Sequence, residues 1–343
     1  MDKKTQIRKQ FIEDLDVIIE SLISSSNLRY KPRKDSYIEP LIRWLDYVLR
    51  VVEPRPRNVY FSSRLSTLFR PEIQHPLELL IHLFEHGIDV NPYQSDKLKR
   101  FQDVYAKKKY HRTDLLWADW GIHHFHLTEE PIEPSRYFSK RSTWLAFCYV
   151  TYDTVFFIDV KKHDENNLFT DKTLVEILFT EWPAVADLFE LKGVLPSKEP
   201  FSPEETMQLR YVGMPTPFSM NGKVYMGPGM GITTAGTSSK VSYYAGTINM
   251  SICKLADYVS SEDNLYLQNA YKRGISNPKF SIKLTPKGLG LYEEKQGICY
   301  LLPRREREGY CDTPLAEVHE LVIPSWLIQS WEKDDFFDGV STT

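Results

Sequence analysis

The stretch Trp120–Asp164, WGIHHFHLTEEPIEPSRYFSKRSTWLAFCYVTYDTVFFIDVKKHD, carries the densest β-strand pattern in the chain. Residues 122–127 contain no turn former, and residues 144–151 and 154–160 are rich in β-branched and aromatic side chains. The dipeptide Tyr152-Asp153 separates the last two runs and is typical of a tight hairpin. The sequence therefore predicts a small antiparallel sheet in the order strand, long loop, hairpin.

Four of the nine histidines of the chain fall in this stretch. Because alternate residues of a strand share a face, the first strand should have one face polar enough to meet a substrate and one apolar face. The polar face is Ile122, His124 and His126, and the apolar face is His123, Phe125 and Leu127. His163 lies just beyond the last strand, after Lys161-Lys162. Thr170 is the expected N-cap of a following helix over residues 171–189.

This order of elements resembles the RelE/ParE-type toxins, and TYDTVFFIDVKKHD (Thr151–Asp164) resembles the last hairpin of YoeB-like ribonucleases. The resemblance covers roughly residues 115–190. It implies a RelE-like antiparallel sheet backed by helices and an activity against RNA, with or without the ribosome. It also implies that His163 occupies the general acid/base position and that Lys161 is the basic residue facing the phosphate.

RNA cleavage by attack of the ribose 2′-OH needs a base, an acid and positive charge beside the phosphate. Histidine suits the first two roles because its ordinary pKa is near neutrality. The candidate catalytic residues are His124, His126, His163 and Lys161.

Two other interpretations of the same residues remain open. His123 and His126 also fit partly buried, hydrogen-bonded sheet residues, with Lys161-Lys162 as a solvated strand end. A metal site could combine His124 and His126 with His111, Asp119 or His163. The sequence contains no HExxH and no spaced Cys/His set, so we expect no bound metal and no cofactor.

A basic segment precedes the first strand, with Ser95 as the expected N-cap of a helix over residues 95–114. Its cations alternate with aromatic residues, a pattern that suits a phosphate backbone with stacked bases, although an amphipathic helix with a solvated face also fits. With two cations from the long loop, the candidate nucleic-acid-binding residues are Lys97, Lys99, Arg100, Lys107, Lys108, Lys109, Arg112, Lys140 and Arg141.

Helical spacing over residues 4–24, 37–52 and 76–86 predicts a helical N-terminal region, whereas residues 57–72 give no clear pattern. The Pro- and Glu-rich stretch GVLPSKEPFSPEE is the best domain boundary. Beyond it, Asn221-Gly222 predicts a type I′ hairpin, and residues 277–303 predict a strand meander. The sequence thus predicts an α+β protein of three parts. These are a helical region with the basic helix (1–112), the RelE-like sheet module (113–195) and a C-terminal α+β domain (196–343).

Overall charge and cysteine usage narrow the class of protein. The net charge is −3 and the pI about 6.3, so the molecule as a whole is not a basic nucleic-acid binder and any such surface must be local. The four cysteines are scattered without a CxxC pair, which favours reduced thiols. A charged N-terminus and the lack of a long apolar window predict a cytoplasmic protein without a membrane partner.

Together these patterns predict an RNA-directed toxin or antiphage defence-type protein, with a metal-independent endoribonuclease as the candidate activity. Its partners would be RNA or the ribosome, and an antitoxin or complex subunit. The alternative is a non-catalytic nucleic-acid- or protein-binding protein of a bacterial or phage system. If the nuclease hypothesis is right, His163 must lie close to the face that carries His124 and His126.

Overall fold

The computed structural model describes residues 2–30, 39–66, 70–100, 113–197, 199–304 and 314–334. The chain divides into two compact units, one of Met1–Val48 with Tyr243–Thr343 and one of Leu49–Ser242. Both boundaries expected from the sequence, at 112/113 and 195/196, lie inside the second unit.

The described residues form α-helices, short 3₁₀ turns and strands. The helices are α1 (Lys3–Ser25), α2 (Pro40–Arg50), α3 (Ser63–Ser66), α4 (Pro71–His86), α5 (Leu115–Trp120), α6 (Thr173–Glu181), α7 (Pro183–Asp187), α8 (Pro203–Val212), α9 (Ser239–Ser260), α10 (Leu265–Lys272), α11 (Pro314–Val322) and α12 (Ser325–Asp334). The strands are β1 (Asn58–Phe61), β2 (Ile122–His126), β3 (Trp144–Val150), β4 (Thr154–Lys162), β5 (Phe218–Met220), β6 (Lys223–Tyr225), β7 (Phe280–Thr285), β8 (Gly288–Glu293) and β9 (Ile298–Leu301). This mixture confirms the predicted α+β class.

The second unit is built on a four-stranded sheet in the order β1-β4-β3-β2. Strands β2, β3 and β4 are antiparallel neighbours, as the sequence predicts, while β1 runs parallel to β4. No local pattern predicts β1, because its four residues are mostly exposed and show no alternation. Pairing with β4, from Asn58 opposite Thr154 to Phe61 opposite Phe157, defines it instead.

Each face of this sheet packs on a separate apolar cluster. On one face Phe125 and Phe157 meet Phe84 of α4 edge-on, with ring centroids 5.5 and 5.8 Å apart. On the other face Leu145 and Phe147 pack among side chains of α5, α6 and α7. Burial of one such large side chain contributes about 1.5–3 kcal/mol, so the two clusters hold the sheet in a fixed position between helical layers.

A single glycine joins α5 to the strand that carries the histidines. Gly121 has φ of +67°, a left-handed conformation that glycine adopts without strain, and its N–H donates to the Trp117 carbonyl at 2.8 Å. Because β2 begins at the next residue, the start of α5 and the side chains of β2 are held in a fixed relation.

The region after β4 departs from the expected single helix over residues 171–189. The predicted N-cap Thr170 is wrong: its N–H donates to the Asn167 carbonyl at 2.8 Å and closes a 3₁₀ turn, and its hydroxyl donates to the same carbonyl. The N–H of Thr173 instead donates to the Asp171 carboxylate at 3.0 Å. The helix also breaks before Pro183, which lacks the N–H that a continuous helix needs and starts α7.

Two further predictions are confirmed. Asn221 and Gly222, with φ of +51° and +76°, form the turn of the β5–β6 hairpin. In the first unit β7, β8 and β9 form an antiparallel meander, against which α1 lies. The Asp14 carboxylate of α1 accepts a hydrogen bond from the N–H of Ile282 at 2.8 Å.

Part of the predicted basic helix lies outside the described residues, including Lys107, Lys108, Lys109, His111 and Arg112. The described start of that segment is a short 3₁₀ turn, Asp96–Leu98, with the Ser95 hydroxyl as N-cap as expected. None of the helices in the described ranges is both long and apolar enough to cross a membrane.

Candidate functional site

Strand pairing places the two polar-face histidines on β2, an edge strand that pairs with β3. His124 lies opposite Phe147 and His126 opposite Leu145 on β3, so both side chains project on the same face. Two residues along a strand correspond to about 6.6 Å, so the two imidazoles are neighbours. The other face carries His123 and Phe125, as the alternation predicts.

His163 joins this pair although it is far away in sequence. Its N–H donates to the Thr143 carbonyl at 2.8 Å, which holds the end of β4 beside the start of β3. The rings of His126 and His163 stack with centroids 6.0 Å apart and an interplanar angle of 13°. His124 and His163 both pack edge-on against Phe169, at 5.3 and 6.3 Å. The three candidate histidines are therefore one cluster.

The cluster lines a cavity of about 230 Å³ in the second unit. Polar residues of the sheet and its loops form one part of the wall, and aromatic or apolar residues of α8 and the 3₁₀ turn at 168–170 form another. The lining residues are Ser95, Lys97, Thr113, Asp114, Leu115, His124, His126, Arg141, His163, Phe169, Met207 and Tyr211. The volume is below the range of about 300–1,000 Å³ that is usual for the sites of drug-sized ligands.

Asp114 is held rigidly beside His124. One carboxylate oxygen caps α5 by accepting from the N–H groups of Leu116 and Trp117 at 3.0 and 3.1 Å. The other lies 3.4 Å from Nδ1 of His124. Burial alone would raise the pKa of Asp114, but the nearby His124 and Arg50 and the capping N–H groups lower it below its ordinary value. Asp114 is therefore a carboxylate that can orient His124.

Burial lowers the pKa of both histidines of the polar face, which favours their neutral forms. Burial is the largest cause and lowers the pKa of His124, against the opposing effect of Asp114. For His126, which is 5% exposed, burial and then the neighbouring histidines and Arg141 lower the pKa to about 4. Nδ1 of His126 also accepts a hydrogen bond from the N–H of Ser142 at 3.2 Å. Neutral imidazoles of this kind can take a proton or donate a hydrogen bond.

Of the predicted cationic residues, Lys97 and Arg141 line the cavity, and both side chains are exposed. The others in the described ranges have different neighbours: Lys99 lies over the Tyr137 ring at 3.9 Å, Arg100 pairs with Asp96 at 3.1 Å and Lys140 pairs with Glu130 at 2.5 Å. Lys107, Lys108, Lys109 and Arg112 are not among the described residues. Two of the predicted cations therefore line the same cavity as the histidine cluster.

Lys161 projects on the same face as the cluster, opposite Leu145, but it is not among the described residues that line the cavity. It is buried, and its ammonium group lies 2.6 Å from Asp171 and 3.6 Å from Asp159. Two carboxylates therefore compensate its charge. Its predicted contact with phosphate stays a prediction.

The described residues contain no group of three or more His, Cys, Asp or Glu side chains that could hold a metal ion. Asp119, one of the suggested ligands, accepts instead from buried Arg210 at 2.7 Å and from Thr216 at 2.6 Å. His111 lies outside the described ranges.

Several lining residues escaped the sequence interpretation. The basic pattern runs to Asp114 and so places it at the end of a helix, although an Asp before the apolar LLW is a typical N-cap signal. Phe169, Met207 and Tyr211 carry no signal of their own, because they reach the cavity from elements folded back on the sheet. Comparisons with protein-family models, curated proteins and solved structures find no match, so the RelE/ParE resemblance also stays a prediction.

Proposed function

We propose that the protein is an RNA-directed, metal-independent endoribonuclease that uses histidine general acid/base chemistry. The observation that carries the proposal is the convergence of His124, His126 and His163 on one cavity that also contains Arg141 and Lys97. The resemblance to RelE/ParE-type toxins supports a toxin or defence-type role, with RNA or ribosomes as the target.

The buried, neutral His124 is the candidate base, because Asp114 can stabilise the imidazolium that forms when it takes the proton of the 2′-OH. The exposed His163 is the candidate acid, since a protonated imidazole there can transfer its proton to the departing 5′-oxygen. The 2′-oxygen forms a bond to phosphorus as the P–O5′ bond breaks. The products are a 2′,3′-cyclic phosphate and a 5′-hydroxyl end, and water then protonates and deprotonates the histidines back to their starting states.

Positive charge has a separate task in this reaction. Negative charge grows on the non-bridging oxygens as the phosphorus becomes five-coordinate, and fixed donors nearby stabilise it. The presence of Arg141 and Lys97 at the cavity, with exposed side chains, supports this role for them.

The test is cleavage of end-labelled RNA by the purified protein, alone and with ribosomes, in the presence of a chelator. We expect products with 2′,3′-cyclic phosphate ends and no cleavage where the scissile ribose is 2′-deoxy. The double variant His124→Ala/His163→Ala should be inactive, whereas His75→Ala, an exposed histidine outside the cavity, should cleave normally.

Unchanged cleavage by the double variant would remove these histidines from the mechanism. Activity that disappears with the chelator and returns with a divalent cation would favour the metal interpretation. Salt-dependent RNA binding without cleavage by the unmodified protein would contradict the nuclease and favour the non-catalytic binding protein.

A further inference from the structure

The polar face of β2 holds two histidines whose polar neighbours at Nδ1 differ in kind. Asp114 offers His124 a carboxylate oxygen, which only accepts. The backbone N–H of Ser142, which only donates, faces Nδ1 of His126. The same ring nitrogen therefore meets an acceptor in one residue and a donor in the other.

We infer that Asp114 and Ser142 fix the two histidines in opposite tautomers, so that His124 serves as the base through Nε2 and His126 as a hydrogen-bond donor to phosphate through Nε2–H. The assignment of tautomers stands on the contacts alone, and the assignment of roles rests on the proposed ribonuclease function. Asp114 is then a positioning residue for His124.

The contact to His126 leaves no choice of tautomer. A backbone N–H cannot accept, so Nδ1 of His126 must carry its lone pair toward Ser142, and the proton of the neutral ring sits on Nε2. Ser142 itself is held, because its hydroxyl donates to the Trp144 carbonyl at 2.5 Å and accepts from the Trp144 N–H at 3.2 Å. His126 therefore presents a preorganised donor.

The contact to His124 favours the opposite arrangement. The 3.4 Å separation is longer than an ideal hydrogen bond, but both side chains are largely buried, at 10% and 12% exposure, so water screens their attraction weakly. A neutral imidazole beside a carboxylate gains most when Nδ1 carries the proton. That leaves the lone pair on Nε2, which is the atom a general base needs.

The division of roles follows from the surroundings of the rings. The ring of His126 stacks on that of His163, and burial, followed by His124, His163 and Arg141, lowers the pKa of His126. Protonation of His126 is therefore unfavourable beside these neighbours. The ring can still donate a hydrogen bond while it stays neutral. A neutral donor beside Arg141 suits a non-bridging phosphate oxygen, while His124 with Asp114 suits proton transfer.

Substitution by glutamine separates a donor from a base. The glutamine amide nitrogen reaches about where Nε2 of histidine lies and still donates, but an amide cannot take a proton at neutral pH. We expect His126→Gln to keep cleavage within about tenfold of the unmodified protein and His126→Leu to lose about 10²–10³-fold. His124→Gln should be as inactive as His124→Leu.

Asp114→Asn tests the positioning role, because asparagine keeps the N-cap of α5 while it removes the charge. We expect cleavage to fall and the acidic limb of the pH dependence of kcat/KM, which reports the base His124, to move to lower pH because the carboxylate that raises the pKa of His124 is gone, with little change in the melting temperature. A variant that loses activity only in proportion to lost folding would assign Asp114 a structural role alone.

Nitrogen-15 NMR of the full-length protein with labelled histidine reads the tautomers without any assay of activity. At pH 7.5 we expect His126 as Nε2–H and His124 as Nδ1–H, and inorganic phosphate should shift the His126 Nε2 resonance. If both rings are Nε2–H, or if His126→Gln is as inactive as His126→Leu in an active enzyme, the inference fails. Opposite tautomers in a protein that cleaves no RNA would keep the assignment and overturn the proposed function.

Discussion

Adjacent residues of one strand, His123 and His124, have similar burial and very different chemistry. His123 is 8% exposed and lies between the rings of Trp117 and Phe125, at 6.4 and 6.1 Å. His124 keeps 10% of its side chain exposed, but that fraction opens on the cavity and a carboxylate lies beside it. Burial alone therefore does not distinguish a structural histidine from a candidate base. Access to the cavity and a neighbouring carboxylate distinguish His124 from His123.

The largest expected effect comes from substituting each of these two histidines separately. His124→Ala should reduce RNA cleavage by about 10²–10⁴-fold, because it removes the general base. His123→Leu should leave cleavage per folded molecule within a few-fold, since its side chain faces the opposite layer. Initial rates on one labelled RNA, normalised to the folded fraction, provide the measurement. Equal losses in both variants would show that the two faces of β2 do not differ in function.

We expect substitutions on the apolar face of β2 to reduce mainly stability, and substitutions on its polar face to reduce mainly activity. Phe125→Ala removes a fully buried ring that meets Phe84 and should lower the free energy of unfolding by about 3–5 kcal/mol. Phe169→Ala, at the half-buried cavity wall, should cost less stability and more activity. Denaturant titration and cleavage rates should be measured on both variants. If the assignment of faces is wrong, Phe125→Ala will lose more activity and Phe169→Ala more stability.

Acid should destabilise the protein through its buried histidines. Burial lowers the pKa of His123 to about 3 and that of His126 to about 4, both below the ordinary 6.5. Between pH 6.5 and 4 these histidines are therefore protonated in the unfolded chain and largely unprotonated in the native state. Stability is full above pH 6.5 and falls by about 1.4 kcal/mol per pH unit for each such histidine as the pH drops.

Urea unfolding from pH 7.5 to 4 measures this slope, and His123→Leu should make the curve shallower. Parallel curves for the variant and the unmodified protein would mean that His123 does not titrate differently in the two states.

The smallest expected effect concerns two neighbouring cations. Arg141 lines the cavity, whereas the adjacent Lys140 is paired with Glu130 on an exposed loop. Arg141→Ala should weaken RNA binding by about tenfold and reduce the salt dependence of the affinity, and Lys140→Ala should change it much less. Binding titrations at 50 and 200 mM salt with a 2′-deoxy substrate analogue measure both the affinity and its salt dependence. A larger effect of Lys140→Ala would place the phosphate contacts outside the cavity.

Local patterns predicted a good part of the sheet. The alternation in residues 122–127, the hairpin after Val150 and the Asn221-Gly222 turn depend on neighbours in sequence, and the structure confirms them. Strand β1 could not be predicted, because only its pairing with β4 makes it a strand. The break at Pro183 was missed because the apolar spacing continues through it.

By itself, the sequence determined which residues share a face of β2, because the two-residue period of a strand is a local property of the backbone. It also placed three histidines and several cations where one fold could bring them together. Only the tertiary structure decided that Asp114 and Ser142 lie beside the two imidazoles, that Lys161 is compensated by carboxylates, and that Phe169 closes the cavity. Those contacts join residues from separate elements, and the packing of α5, α8 and the loops on the sheet sets the distances on which their chemistry depends.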